Sequence, residues 1–507
     1  MRYDNPVIPG FHPDPSICRV GRDYYLVTSS FEYFPGVPVF HSRDLVHWRR
    51  LGYCLTRRSQ LDLAGCACSD GIWAPTIRHH EGTFYMVTTL VRRDPFRARN
   101  FFVTATDPAG PWSEPVWLDE GGIDPDLFFG EAGTVHYSRT GEVGIWSGEV
   151  DVETGRIVRP LQQVWAGTGG AYPEGPHLYR IDGVYYLMVA EGGTGYGHME
   201  TIARAESPCG PFEPCPRNPI LTHRDRPEHP IQCTGHADLV QAHDGSWWMV
   251  FLGVRDRHPG VHSFHLGRET FLAPVRWDEE GWPTVGRAGR VELQMDGPDW
   301  EPHPWPAPPA RDDFDDLELG PRWNTLRLPL GARGSLFARP GWLRLHGTEW
   351  TLDDTEPVAF LGRRQTHMNC RATTRMDFHP ADDGDEAGLT VLMRDTLHYE
   401  MALTRTDGER QVIVRRRVKA EAEVVGTGSP GAGPVELHLD ADRDTYEFAW
   451  SGPDGIRHHL AQLPVADIAL SSDADAFTGL YIGLYATGNG RPCSVPADFD
   501  WFELHAG

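Results

Sequence analysis

Nowhere in this 507-residue chain do eighteen apolar residues follow one another, so no segment reads as a membrane-spanning helix. The opening residues, MRYDNPVIPGFH, carry an arginine but no apolar stretch behind it, which is not the pattern of a secretion signal. Positive charge is in deficit: 47 basic against 71 acidic residues leave a net charge of −24, which repels nucleic acid and anionic membrane surfaces. Paired CxxC spacing is missing too. The nine cysteines include two close pairs, Cys66 with Cys68 and Cys209 with Cys215, but neither has zinc-ligand spacing, and scattered reduced thiols are the expectation. These absences predict a cytoplasmic protein with neutral or cationic partners and none among nucleic acids or membranes.

Core material is plentiful, with 17 Trp and 40% hydrophobic residues, and the length exceeds the ~250 to 300 residues at which one core stops growing. Two domains are expected. In the first half, five short strands begin with an aromatic pair or its equivalent: DYYLVTSS from Asp23, GTFYMVTT from Gly82, GTVHYS from Gly133, GVYYLMVA from Gly183 and GSWWMVFL from Gly245. Their spacing, roughly 50 to 60 residues, is near that of the four-stranded blades of a β-propeller, and it predicts five blades.

Upstream of each lies a second recurring segment: HPDPSI at 12–17, IWAPTI at 72–77, IDPDLF at 123–128, PEGPHL at 173–178 and GHADLV at 235–240. Two prolines in HPDPSI remove backbone donors, so this is an irregular lead-in to a strand. Aligned on Ile17, Ile77, Leu127, Leu178 and Val240, the segments bring Asp14, Trp73, Asp124, Glu174 and His236 into one or two columns. Innermost propeller strands line the central channel, so these side chains are expected to converge on one axis. A lone Asp beside Pro is usually a turn residue and a lone buried His usually a core residue. Three carboxylates at equivalent positions are harder to explain by packing, because they repel one another and cost desolvation energy. Two flanking carboxyls, one protonated and one ionised, are the machinery of glycoside hydrolysis, and a third raises the acid's proton affinity. Trp73 offers a flat apolar face for a sugar ring. Arg268, in LGRETFLAP, either forks hydrogen bonds onto sugar hydroxyls or forms an ordinary ion pair with Glu269.

These stretches, together with NPVIPGFHPDPSI, TSSFEYFPGVPVFHSRDLVHW, GIWAPTIR, GIDPDLFF, AYPEGPHLY, CTGHADLV and LGRETFLAPVRW, resemble glycoside hydrolase family 43, the five-bladed inverting β-xylosidases and α-L-arabinofuranosidases. The resemblance implies Asp14 as general base, Asp124 as modulator of the acid's pKa and Glu174 as general acid. It further implies a substrate-binding set of Phe31, Trp73, Thr194, His236 and Arg268. In IDPDLF both Asp124 and Asp126 share a face, and the repeat alignment favours Asp124, since Asp126 falls in the column of Ser16. His236 is similar to a channel histidine that in some family members helps hold a hydrated calcium ion, although one neutral imidazole is a poor calcium anchor. No cofactor is required, and a structural channel calcium is the one ion the resemblance raises. RRDPFR, near Asp94, resembles a motif of invertase-like propellers, whose other signatures are missing here, so Asp94 is read as a loop residue.

From Pro298 to Pro309 six prolines in twelve residues make a stiff connector. Beyond it, WLRLHG, GLTVLMR, YEMALTR, QVIVRRRV, VELHLDAD, TYEFAWS, LYIGLYAT and FDWFEL alternate with period two and predict a β-sandwich of the jelly-roll or concanavalin-like kind, with Arg415 to Arg417 on an edge or surface. The expected domains are thus a propeller over 1–297, a connector over 298–312 and a sandwich over 313–507. The resemblance extends to the sandwich, implying that it closes one side of the pocket and that Phe477 faces the sugar. The predicted function is an exo-acting, inverting glycosidase releasing terminal β-D-xylose, and also α-L-arabinofuranose, from xylo-oligosaccharides or arabinose-substituted oligosaccharides. A mainly α-L-arabinofuranosidase is the alternative, and a sugar-binding propeller without catalysis the non-enzymatic one. Association into a homo-oligomer is left open.

Overall fold

The computed structural model describes residues 1–118, 120–471 and 476–507. Among them there is no α-helix; three single turns of 3-10 helix interrupt an otherwise all-β chain. Five antiparallel sheets follow in order through the first 290 or so residues, each beginning with its innermost strand: Ser16–Val20, Thr76–His80, Ile123–Phe129, Glu174–Ile181 and Ile231–Gln241. The aromatic repeats are the second strands. Ile17 pairs with Leu26, Ile77 with Met86, Leu127 with Tyr137, Leu178 with Leu187 and Leu239 with Met249. The pairing corrects the sequence alignment by one residue in the fifth repeat, where Leu239, not Val240, is the equivalent of Ile17. The register shifts of this strand lie before Asp238, as those of the third and fourth inner strands lie before Asp126 and His177.

Chain ends close the ring. Arg2–Asp4 pairs antiparallel with Gln294–Asp296, so the first and last propeller segments hold each other. Between the first and fifth blades Ile17, Leu26, Leu239, Met249 and Phe271 share one buried cluster. Alternation along each second strand puts one set of side chains into such seams, which ties the blades laterally.

The second unit consists of two antiparallel sheets, of eight and six strands, facing each other across a core that includes Leu389, Met401, Val414, Leu437 and Phe448. Strand Glu409–Val418 is not an edge: Glu421–Gly428 pairs outside it. Arg415 accordingly departs from its expected surface role. Its guanidinium binds Glu386 at 2.7 Å and Glu400 at 2.6 Å, both carboxylates being buried.

The outer face of the six-stranded sheet lies on the propeller. Phe11, Phe31 and Tyr33 from the propeller meet Phe360, Tyr481 and Tyr485 from the sandwich, with Tyr33 stacked on Tyr481 at 4.0 Å. Thr325–Leu326 pairs with Tyr33–Phe34, and Phe264 bridges Leu470, so backbone ladders as well as apolar area join the two units. Where the first blade meets the second, Gly71 has φ +94° and lies so close to Phe31 that a Cβ would stand 2.2 Å from its carbonyl oxygen. Only glycine fits there. Gly71→Ala is expected to lower the thermal unfolding midpoint by several degrees, at about 2 to 4 °C per kcal/mol lost, and to disturb Phe31 and Trp73 together. An unchanged melting curve counts against this account of the contact.

Candidate active site

Each inner strand reaches the axis through irregular backbone. Asp14, Asp124 and His236 are non-glycine residues at φ 54°, 52° and 49°, and Gly175, beside Glu174, has φ 60°. Such left-handed residues cost energy and persist only where surrounding structure imposes them. Here they turn side chains that would point into blade seams toward one opening. Pro13 and Pro15 bracket the first of them, and the Pro13 carbonyl accepts the Ser29 N–H at 3.1 Å.

A pocket of about 50 Å³ lies at this opening, lined by Asp14, Phe31, Trp73, Ala74, Ile123, Asp124, Glu174, Thr194, His236, Arg268 and Phe477. All eight expected site residues are among them, and so is Phe477. Asp14 is buried and accepts hydrogen bonds from Ser29 Oγ at 2.5 Å and from Arg268 Nη1 at 2.9 Å. Arg268 resolves its two sequence readings: it serves Asp14 and donates to Thr194 Oγ1 at 3.0 Å, while Glu269 is taken by Arg255 at 2.7 Å. Donors of this kind fix the orientation of the Asp14 carboxyl group.

Asp124 accepts the Gly175 N–H at 3.2 Å, next to Glu174. Burial, with the neighbouring charges of Glu174 and Asp14, pushes the Asp124 carboxyl well above the usual carboxylate range. Burial and the charge of Asp14 likewise lift Glu174 to about 7. The adjacent pair therefore retains a proton near neutrality, while Asp14 sits against a guanidinium. Burial takes His236 down to about 4, so its ring is neutral; Nδ1 lies 4.0 Å from Asp14.

Aromatic rings make the opposite wall. Trp73 and Phe477 meet edge to face at 5.6 Å, and Phe31 lies 6.3 Å from Trp73 and 6.0 Å from Phe477. Ser69 fastens this wall. Its carbonyl accepts Trp73 Nε1–H at 3.0 Å, its Oγ accepts the Phe477 N–H at 2.9 Å, and its own N–H donates to buried Glu32 at 2.9 Å. Sequence reasoning missed both serines: Ser69 lies outside the repeated segments, and Ser29, at the end of the first aromatic repeat, carries no local sign of its contact with Asp14.

Below the pocket a second buried layer collects Ser16, Asp126, His177 and Asp238 around Arg78, whose guanidinium reaches Asp126 at 2.8 Å, Asp238 at 2.9 Å and His177 at 2.9 Å. Burial alone would raise the two carboxyls, but Arg78 overrides it and holds both below their usual range. Asp126 is thereby separated from Asp124, as the repeat alignment required. Calcium needs six to eight oxygen ligands. The channel carboxylates beneath His236 are already engaged by Arg78, and among the described residues no three His, Cys, Asp or Glu side chains are placed to hold a metal ion. Among the described residues, the only protein ligand the pocket would offer a hydrated ion at this point is the neutral ring of His236. Asp94 lies in an exposed hairpin turn.

Comparison with known proteins gives a consistent result. Residues 3–283 match the family described as "Glycosyl hydrolases family 43", and residues 311–505 match "Beta xylosidase C-terminal Concanavalin A-like domain". The chain is 45% identical over 506 residues to a non-reducing end α-L-arabinofuranosidase of Bacteroides ovatus, covering 99% of this chain and 94% of that protein. It is 39% identical to a xylosidase/arabinosidase of Butyrivibrio fibrisolvens, covering 99% of each. A solved structure described as "Bacteroides ovatus Xyloglucan PUL GH43B" superposes with a TM-score of 0.96 at 44% identity over the whole of both chains.

An acid lifted to about 7 carries its proton below that pH and loses it above. For any reaction that uses the Glu174 proton, kcat/KM is expected to fall as pH rises through about 7. Asp124 and Glu174 repel once both are ionised, which raises the pair's last deprotonation, so Asp124→Asn should move the alkaline limb to lower pH. A limb that stays in place in this variant excludes Asp124 from that role.

Proposed function

The chain belongs to glycosyl hydrolase family 43, and from that premise we propose that it is an exo-acting, inverting glycosidase. It removes single terminal pentoses, α-L-arabinofuranose and β-D-xylose, from the non-reducing ends of oligosaccharides. The observation that carries the reading is one small pocket that brings together a guanidinium-bound carboxylate, a proton-holding carboxyl pair and three aromatic rings. Its volume of about 50 Å³ accepts a few waters and so suits one sugar unit. The sequence by itself favours xylose. The 45% identical relative, named as an arabinofuranosidase, puts arabinofuranose beside it, and the 39% relative bears both names.

In this reading Asp14 takes a proton from a water whose oxygen attacks the anomeric carbon. As that bond forms, the bond to the glycosidic oxygen breaks, and Glu174 delivers its proton to the departing oxygen. Arg268 and Ser29 hold Asp14 oriented for the first transfer. Asp124 holds the second carboxyl of the pair beside the acid. After the products leave, solvent returns a proton to Glu174 and removes one from Asp14.

On the acid's side the pocket continues into a groove of about 830 Å³, with Ile123 and Glu174 common to both. Three of the chain's exposed large apolar residues line it: Tyr172, Phe96 and Val143, at 74%, 61% and 64% exposure. Since Glu174 protonates the leaving oxygen, the remainder of the substrate extends here, and the groove suits an oligosaccharide of more than one unit.

Glu174→Ala is expected to lose about 10² to 10⁴ in kcat on unactivated oligosaccharides and far less on aryl glycosides whose leaving group needs no proton. Asp14→Ala should lose activity on both. Proton NMR of the first-formed sugar should show inverted configuration; retention overturns the mechanism. Hexopyranosides, with an added hydroxymethyl group, should fall about 10- to 200-fold below the pentosides in kcat/KM.

Tyr172→Ala with Phe96→Ala should reduce kcat/KM at least tenfold on pentose-bearing oligosaccharides and leave aryl pentosides within about twofold. Equal loss on both substrates counts against the groove as the leaving-group site.

A further inference from the structure

Behind the catalytic pocket, where propeller, connector and sandwich meet, lies a chamber of about 490 Å³. Four arginines line it: Arg50 from the first blade and Arg322, Arg363 and Arg364 from the sandwich. Against them stands one carboxylate, Asp312, which binds Arg363 at 3.0 Å. Among the described residues Arg50, Arg322 and Arg364 have no carboxylate partner. They donate instead to neutral acceptors: Arg50 to the Pro321 carbonyl at 2.9 Å, Arg364 to the Phe11 carbonyl at 2.8 Å and to Asn324 at 2.6 Å, and Arg322 to the Pro309 carbonyl. Carbonyl bonds satisfy N–H groups but leave the charge uncompensated.

Arg363 and Arg364 are 3% and 5% exposed. Even so, Nε of Arg363, Nη2 of Arg364 and Nε of Arg50 are enclosed without an acceptor. His12, also on the chamber wall, brings no counter-charge. Burial and the adjacent Arg364 and Arg50 hold its ring neutral, and its Nε2 lies 3.0 Å from Arg50 Nη2. The arginines also oppose one another: burial and the neighbouring Arg322 depress Arg363 to about 10. Uncompensated cations away from water are costly, and a fold that gathers four arginines against one carboxylate gains on receiving an anion.

We propose that this chamber binds a small multivalent oxyanion. Guanidinium forks match the paired oxygens of phosphate and carboxylate. The enclosed volume sets an upper size, and the chain's net charge of −24 repels extended polyanions such as nucleic acid. Inorganic phosphate and organic polycarboxylates share the required chemistry. Its occupant would tie Arg50 of the propeller to Arg322, Arg363 and Arg364 of the sandwich. It would also steady Phe11, three residues before Asp14, through the Arg364 bond to its carbonyl.

The test is calorimetric titration of the full-length protein with phosphate, sulfate and citrate, alongside thermal unfolding in each anion and in sodium chloride of matched ionic strength. One site per chain is expected, with a saturable rise in unfolding midpoint that chloride does not reproduce. Phosphate and sulfate acting without citrate identify an inorganic occupant; citrate alone identifies a polycarboxylate. Arg322→Gln, the half-exposed member, should weaken binding at least tenfold, and Arg50→Gln provides a second variant should the first not fold. Absence of binding heat with all three anions overturns the proposal. So does an equal thermal shift in chloride, or undiminished affinity in a folded variant.

Discussion

Five inner strands aimed at one axis crowd carboxyls together, and the arrangement of the centre follows from how that negative charge is contained. Asp14, Asp124 and Glu174 stand above, Asp126 and Asp238 below, and two guanidiniums serve them. Arg78 takes the lower pair and Arg268 takes Asp14, which leaves Asp124 and Glu174 without a cation of their own. Burial and repulsion then favour retention of a proton on that pair. A carboxylate paired with a cation and a carboxyl pair that keeps a proton are thus set apart by the placement of one arginine.

Backbone strain is part of the same arrangement. Regular strands would send alternate side chains into seams between blades and none straight down the axis. Left-handed residues at Asp14, Asp124, Gly175 and His236 redirect them, and Gly175 leaves room where a Cβ would come within 3.0 Å of the His236 ring. The cost, of order 1 to 3 kcal/mol for each non-glycine residue, is carried by the blade packing outside the ring.

The sandwich completes what the propeller leaves open. Phe477 reaches the pocket from the second unit, held by Ser69 of the first, and the same Ser69 holds Trp73. Seating one sugar against this wall therefore depends on the junction. Stacked Tyr33 and Tyr481, the strand pair at Tyr33–Phe34 and the arginines around the chamber all lie there. Through Phe477 the second unit shapes the volume into which the pocket carboxyls point.

Repetition made much of this legible in advance. Five aromatic strands and five upstream segments located Asp14, Trp73, Asp124, Glu174 and His236, because equivalent positions in a radial repeat must point to a common axis whatever the loops do. Alternation likewise marked the sandwich strands, and Asp124 was separated from Asp126 by column alone. Tertiary structure decided what depends on neighbours remote in sequence. Arg268 chose Asp14, 254 residues away, over adjacent Glu269. Arg415 found buried glutamates, and strand pairing made Leu239 the fifth counterpart of Ile17. Arg78 took Asp126 and Asp238, and Ser69 joined rings from two domains. Periodicity is a local property and survives in one dimension, whereas charge pairing is set by distance through space, which the order of residues does not encode.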